Sequence, residues 1–190
     1  MRITAGTLRG RTLRTVEGPG YRPATGKVRE ALFSMLGARG VSWPAVRVLD
    51  LFAGSGSLGF EALSRGAAEA WFVDNYRAAA QMIRTNARAL GVEDRCRVLE
   101  QDLFRLLARP PRDGAGFEVV FIDPPYGKNL FARAVRAALE GGWVAPGGVV
   151  NAEVEAGLDL DPASLHEDLE PITDRSYGQT RIVLWKARER

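Results

Sequence analysis

The chain has 190 residues and a formal net charge of +3, with 46% hydrophobic and 26% charged residues, the balance of a globular domain that buries its own core. One cysteine (Cys96) excludes an internal disulfide and a multi-cysteine zinc site, and one histidine (His166) nearly excludes triads and His-rich metal sites. No apolar run reaches the roughly 18–20 residues of a membrane span, and Met1-Arg2-Ile3-Thr4 opens without an apolar signal core, so the expectation is a cytoplasmic protein, monomeric by default, with no membrane partner.

The charge is unevenly placed. Arg2, Arg9, Arg11, Arg14, Arg22, Lys27 and Arg29 stand against only Glu17 and Glu30 within residues 1–30, a local net of +5, while the remaining 160 residues carry 19 basic and 21 acidic groups. Such asymmetry predicts a polyanion-binding arm on a nearly neutral body. Gly6, Gly10 and Gly18-Pro19-Gly20 place turns in residues 1–20, which fits a short basic β-hairpin. From Thr25 to Ala38, the residues Val28, Ala31, Leu32, Met35 and Leu36 share one helical face, with Thr25 as N-cap and Gly37 or Gly40 as the stop.

After Pro44 the pattern becomes strand–helix units. Strands are expected at 46–51, 70–73, 96–99, 117–122 and 148–154, and helices at 58–64, 77–90, 103–108 and 129–139. This alternation indicates a parallel sheet covered on both faces. Pro171–Arg175 and Arg181–Trp185 flank Tyr177-Gly178-Gln179 and read as an antiparallel hairpin at one edge. The expected organisation is a basic arm over residues 1–24 on one α/β domain over 25–190. Cys96, Trp71, Phe72 and Trp143 are expected in the core, His166 on the surface.

Two segments carry chemistry. Asp50-Leu51-Phe52-Ala53-Gly54-Ser55-Gly56-Ser57-Leu58-Gly59 follows the first strand of the sheet and opens a helix, with Gly-x-Gly-x-x-Gly spacing and Asp74 at the end of the next strand. That pattern binds an adenosine-bearing ligand: glycines admit close approach and the acid bonds ribose hydroxyls. NAD and S-adenosylmethionine both fit the loop. Asp50 favours the second, because a carboxylate there suits an ammonium and a sulfonium and repels a pyrophosphate. Asp102 after the third strand either accepts from the adenine amine or caps the following helix.

The second segment is Phe121-Ile122-Asp123-Pro124-Pro125-Tyr126. Two prolines remove donors and stiffen the exit from the fourth strand, placing a carboxylate, carbonyls and a ring at the edge where doubly wound sheets bind ligands. This arrangement fits methylation of a planar exocyclic amine. Asp123 and the Pro124 carbonyl accept the amine hydrogens, Tyr126 stacks on the base for about 1–3 kcal/mol, and catalysis comes mainly from alignment. A base inside a helix needs extrusion into such a pocket. No metal and no covalent intermediate are expected.

Asp123–Tyr126 together with Asp50–Gly59 resembles the S-adenosylmethionine-dependent amino-methyltransferases. More narrowly, the chain resembles the RsmD family of bacterial enzymes that methylate the guanine 2-amino group in 16S ribosomal RNA. The likeness runs through Arg2-Ile3-Thr4-Ala5-Gly6, Arg9-Gly10-Arg11, Arg22-Pro23, Arg29–Phe33, Glu61–Ala67 and Tyr177-Gly178. It implies a Rossmann-like class I methyltransferase fold, a mostly parallel seven-stranded sheet with an antiparallel C-terminal hairpin, plus the N-terminal β-hairpin arm. It further implies that Asp50, Phe52, Gly54 and Gly56 line the methionine side of S-adenosylmethionine, that Asp74 binds its ribose and Asp102 its adenine. Asp123, Pro124 and Tyr126 would hold guanine, and the basic residues of 1–30 would grip 16S rRNA phosphates in the small ribosomal subunit. Ala24 and Gly26 depart from the polar residues common after Arg-Pro in the family. The alternatives are methylation of DNA adenine or a protein glutamine, a dehydrogenase, and a non-catalytic RNA-binding assembly factor. A dehydrogenase offers no use for Asp123–Tyr126.

Overall fold

A computed structural model describes residues 1–15, 25–111, 114–125 and 130–189. Two compact units divide the chain, Met1–Asp102 and Leu103–Arg190. Among the described residues no helix is long and apolar enough to cross a membrane.

The first unit begins with an irregular segment whose ends pair antiparallel, Arg2 with Thr12, through Ile3 N–H to the Arg11 carbonyl at 3.0 Å and Leu13 N–H to the Met1 carbonyl at 2.8 Å. The expected hairpin is therefore reduced to a single bridge with a tight turn at Gly6–Gly10. Helix α1 (Gly26–Ala38) follows, and Thr25 caps it as the sequence predicts, its Oγ1 accepting from Val28 N–H at 3.3 Å. The helix ends on Arg39 and Gly40, whose φ of +86° is left-handed, so Gly40 and not Gly37 is the stop. Strand β1 (Arg47–Leu51), helix α2 (Ser57–Ser64), strand β2 (Glu69–Asp74), helix α3 (Arg77–Leu90) and strand β3 (Cys96–Glu100) complete the unit. Both β1–β2 and β2–β3 are parallel, with Asp50 opposite Phe72 and Asp74 opposite Glu100. Val48, Leu49 and Leu51 are fully buried, as expected of a strand with helices on both faces.

The second unit contains helix α4 (Leu103–Leu107), strand β4 (Phe117–Ile122), helix α5 (Leu130–Glu140) and strands β5 (Val144–Glu155), β6 (Leu169–Tyr177) and β7 (Thr180–Ala187). Strand β4 pairs parallel with β5, and β7 pairs antiparallel with both β5 and β6. Pro171 interrupts the β6 register; a residue without an N–H is tolerated there because β6 is an edge strand. The seven strands run in the order β3-β2-β1-β4-β5-β7-β6, the mostly parallel sheet with an antiparallel C-terminal hairpin that the sequence predicts. Strand β5 starts four residues earlier than expected, at Val144, and its register with β4 shifts before Val149 around left-handed Gly147 (φ +72°). Trp71, Phe72 and Trp143 are buried. Cys96 is only half-buried, on the edge strand. The His166 side chain is mostly covered, its Nδ1 accepting from Asp168 N–H at 3.1 Å.

Candidate donor and amine sites

The β1–α2 connection is built by close approach. A methyl group on Gly59 would lie 2.3 Å from the Phe72 ring, so only glycine lets α2 settle on β2. Phe60 and Phe72 then pack with centroids 4.9 Å apart and planes tilted by 36°, a pair worth about 0.5–1.5 kcal/mol beyond burial. Gly56 begins α2 in the left-handed region at φ +76° and supplies no side-chain cap. Asp50 replaces it from the neighbouring strand: its Oδ2 accepts from Gly59 N–H at 3.0 Å, a carboxylate satisfying an amide of the first turn where the helix dipole favours negative charge. Phe52, in the same turn, is left-handed at φ +59°, which for a bulky residue costs on the order of 1–2 kcal/mol.

Asp74 closes the loop from β2. Its Oδ2 accepts from Gly54 N–H at 2.9 Å and its Oδ1 from Tyr76 N–H at 2.8 Å. Gln101 N–H donates to the Asp74 carbonyl at 3.2 Å, which brings the turn carrying exposed Asp102 to the end of β2. Asp50, Phe52, Gly54, Gly56 and Asp74 therefore converge on one loop within the first unit, with Asp102 one residue beyond its rim. In the second unit, β4 ends at Ile122; Asp123 is half-buried, Pro124 buried and Pro125 half-buried. Tyr126 and Arg22 lie outside the described residues.

The basic residues separate into two groups. Arg2, Arg9, Arg11, Arg14 and Lys27 are exposed. Arg29 is not, at 1% exposure, and its expected place in a phosphate grip is corrected by the structure. Its guanidinium donates to the Met1 Sδ at 2.9 Å and the Arg2 carbonyl at 2.5 Å, and its Nε lies 3.4 Å from Glu61 Oε2. Glu61, fully buried on α2, accepts from Thr4 N–H at 2.8 Å, Thr4 Oγ1 at 2.6 Å, Ala5 N–H at 3.0 Å and Arg65 Nε at 3.1 Å. A buried arginine is tolerable only beside such a charge. The basic segment is thus clamped onto α2.

Three polar residues escaped the sequence reading. Glu61 was seen only as part of a family stretch. Asn86, 2% exposed on α3, accepts from Arg14 N–H at 3.0 Å and donates to the carbonyls of Arg14 at 2.9 Å and Ser55 at 3.3 Å, tying the basic segment to the glycine loop. An asparagine among the alanines of a helix's apolar face was the available signal. Asn151 is fully buried on β5 opposite Phe121, and neither its Oδ1 nor its Nδ2 has a hydrogen-bond partner among the described residues. Its signal was an amide inside a valine-rich strand. Elsewhere, burial pushes the Cys96 thiol up to about 12, the mark of an inert cysteine. The Arg181 guanidinium hydrogen-bonds Asp174 at 2.7 Å and holds its carboxyl below the usual range.

Comparison with known proteins agrees with this architecture. The family model described as "Conserved hypothetical protein 95" matches residues 1–186. Ribosomal RNA small subunit methyltransferase D of Escherichia coli K12 is 38% identical over 172 residues, which cover 88% of this chain and 83% of that protein. YlbH of Bacillus subtilis is 35% identical over 188 residues, 99% of this chain and all of its own length. The solved structure of yhhF from Escherichia coli superposes with a TM-score of 0.84 at 30% identity, covering 100% of this chain and 99% of that one. With a match of this length and identity, the chain belongs to the ribosomal RNA small subunit methyltransferase D family, the RsmD family.

Proposed function

We propose that this protein transfers a methyl group from S-adenosylmethionine to the 2-amino group of a guanine in 16S rRNA, as a cytoplasmic monomer. The observation that carries the reading is the half-buried Asp123 followed by buried Pro124 where β4 ends. A carboxylate and a donor-free backbone there favour an amine with hydrogens to give and exclude competing N–H groups. The family match spans residues 1–186 and so includes both this segment and the glycine loop.

The donor set suits S-adenosylmethionine. Asp50, Phe52, Gly54 and Gly56 would hold its methionine portion, Asp74 its ribose and Asp102 its adenine. When bound, that cofactor supplies a methyl group already activated on a sulfonium. Asp123 and the Pro124 carbonyl would accept the two amine hydrogens, orienting the nitrogen lone pair and receiving the proton that methylation releases. Tyr126 would stack on the guanine. Arg2, Arg9, Arg11, Arg14, Arg22 and Lys27 would contact phosphates, the clamp of Thr4 and Ala5 on Glu61 holding the first four in place.

The test is methyl transfer from labelled S-adenosylmethionine to unmethylated small ribosomal subunits, free 16S rRNA and DNA, with nucleoside mass spectrometry. N2-methylguanosine is the expected product. Asp123→Ala should abolish turnover while leaving donor affinity within about twofold, since the acid acts on the amine and not on the donor. Methyladenine from DNA, or full activity in Asp123→Ala, would overturn the reading.

A further inference from the structure

The second unit carries an open groove of about 760 Å³ between α4 and α5, with Phe104, Ala108, Arg133, Arg136 and Gly141 among its walls. We infer that this groove is a second RNA-binding surface, taking a phosphodiester segment of the substrate outside the basic N-terminal region. The inference rests on the substrate being RNA and extends that reading to the other unit.

Charge placement is the first support. Residues 103–190 hold 11 basic and 13 acidic groups, a net of −2, yet eight of those acids fall within residues 153–174. None of those eight lines the groove: exposed Arg133 and Arg136 do, exposed Arg109 follows the lining residue Ala108, and Glu140 is the acidic lining residue. Among the described residues these three arginines form no ion pair, whereas Arg29, Arg47, Arg65, Arg84, Arg88 and Arg181 each have a carboxylate partner. Guanidinium groups left uncompensated on one face of an acidic unit provide the field a polyphosphate follows.

Shape and stacking are the second. Arg133 and Arg136 stand three residues apart on α5, so they project side by side. The Arg133 guanidinium carbon lies 3.8 Å from the centroid of the Phe104 ring. That contact sets an exposed guanidinium against the ring, and arginine planes and aromatic rings are the platforms on which single-stranded RNA bases stack. Ala108, Ala132, Ala137 and Gly141 make the remaining walls low, which admits a sugar–phosphate backbone. An acidic peptide would satisfy the charges but has no use for a guanidinium set against a ring.

The experiment measures binding of full-length protein to 16S rRNA fragments across a salt series, without turnover. Arg109→Gln/Arg136→Gln should lower the magnitude of the log K against log[salt] slope by about 1.5, each lost phosphate contact removing about 0.7–0.9. S-adenosylmethionine affinity and the melting temperature should stay as in the wild type, because neither side chain packs in the core. Arg133→Lys keeps the charge but not the plane, so it should weaken binding to unpaired RNA at least threefold with the slope unchanged. An unaltered slope in the double variant would overturn the proposal, as would a wild-type chain without salt-dependent RNA affinity. A double variant impaired only on assembled subunits, with free-RNA slope intact, would assign the groove to a ribosomal protein and also overturn it. A failure of guanine methylation alone would appear in the nucleoside product and leave this slope where it is.

Discussion

Replacing Glu61 with glutamine tests whether one buried carboxylate holds the basic segment in place. Its Oε1 accepts from Thr4 Oγ1, Ala5 N–H and Arg65, and its Oε2 accepts from Thr4 N–H and faces Arg29. An amide can keep the first set but turns an N–H₂ group toward Thr4 N–H and the guanidinium. One charge-assisted hydrogen bond is then lost, worth about 1.5–3 kcal/mol, and a 1%-exposed arginine loses its counter-charge, a change that typically costs about 3–5 kcal/mol. These losses overlap, so the expected destabilisation is about 3–5 kcal/mol in urea unfolding. For a chain of this size it lowers the melting temperature by roughly 6–20 °C. Limited trypsinolysis should cut faster after Arg9 and Arg11, and RNA affinity should fall with donor affinity retained. Adding Arg29→Met to Glu61→Gln should recover part of the loss, because the uncompensated guanidinium is gone while the amide oxygen still accepts from Thr4 Oγ1 and Ala5 N–H. A loss below about 1 kcal/mol for Glu61→Gln would show that Arg29 is compensated by something other than Glu61 and refute the clamp.

Asn86→Asp keeps the acceptor for Arg14 N–H but sets a carboxylate oxygen against the Arg14 and Ser55 carbonyls; a loss of about 2–4 kcal/mol in denaturant unfolding is expected, with weakened S-adenosylmethionine binding by calorimetry, since Ser55 belongs to the glycine loop. Gly59→Ala sets two effects against each other. Helix propensity favours alanine by about 1 kcal/mol, whereas its methyl would sit 2.3 Å from a fully buried Phe72 ring, and such overpacking costs about 1–3 kcal/mol or more. Net destabilisation is expected, and a gain in stability would sink the packing argument. The Asp174 carboxyl is held low by its hydrogen bond from Arg181, so its contribution is present above the unfolded carboxylate pKa of about 3.9 and is lost as pH falls through the lower folded value. Asp174 is exposed and Arg181 partly so, and solvent screening limits the effect to below about 1 kcal/mol. Asp174→Asn should therefore cost a few tenths of a kcal/mol at neutral pH and progressively less as pH falls below the unfolded carboxylate value; a cost that does not change with pH would show that the charge is not responsible.

The periodic part of the molecule, and the two segments proposed to carry its chemistry, were legible from local sequence. Strand–helix alternation, the Thr25 cap, the glycine loop between β1 and α2 and the Asp123-Pro124 exit from β4 depend on residues near one another in the chain, where period, turn propensity and missing N–H groups act locally. Which charges are surface groups and which are structural was decided only by tertiary contact. Arg9 and Arg29 look alike in a basic stretch, yet one is exposed and the other is buried against a carboxylate 32 residues away on α2. Asp50 could be placed at a ligand loop from its position, but its hold on Gly59 N–H needed the turn to fold back across nine residues. Gly59 completes the glycine spacing in the sequence, but the reason for it lies in Phe72, whose ring occupies the space a side chain would take. Asn86 and the α4–α5 groove follow the same rule. Burial, counter-charge and hydrogen-bond partners are set by which surfaces meet, and local propensity carries no record of that.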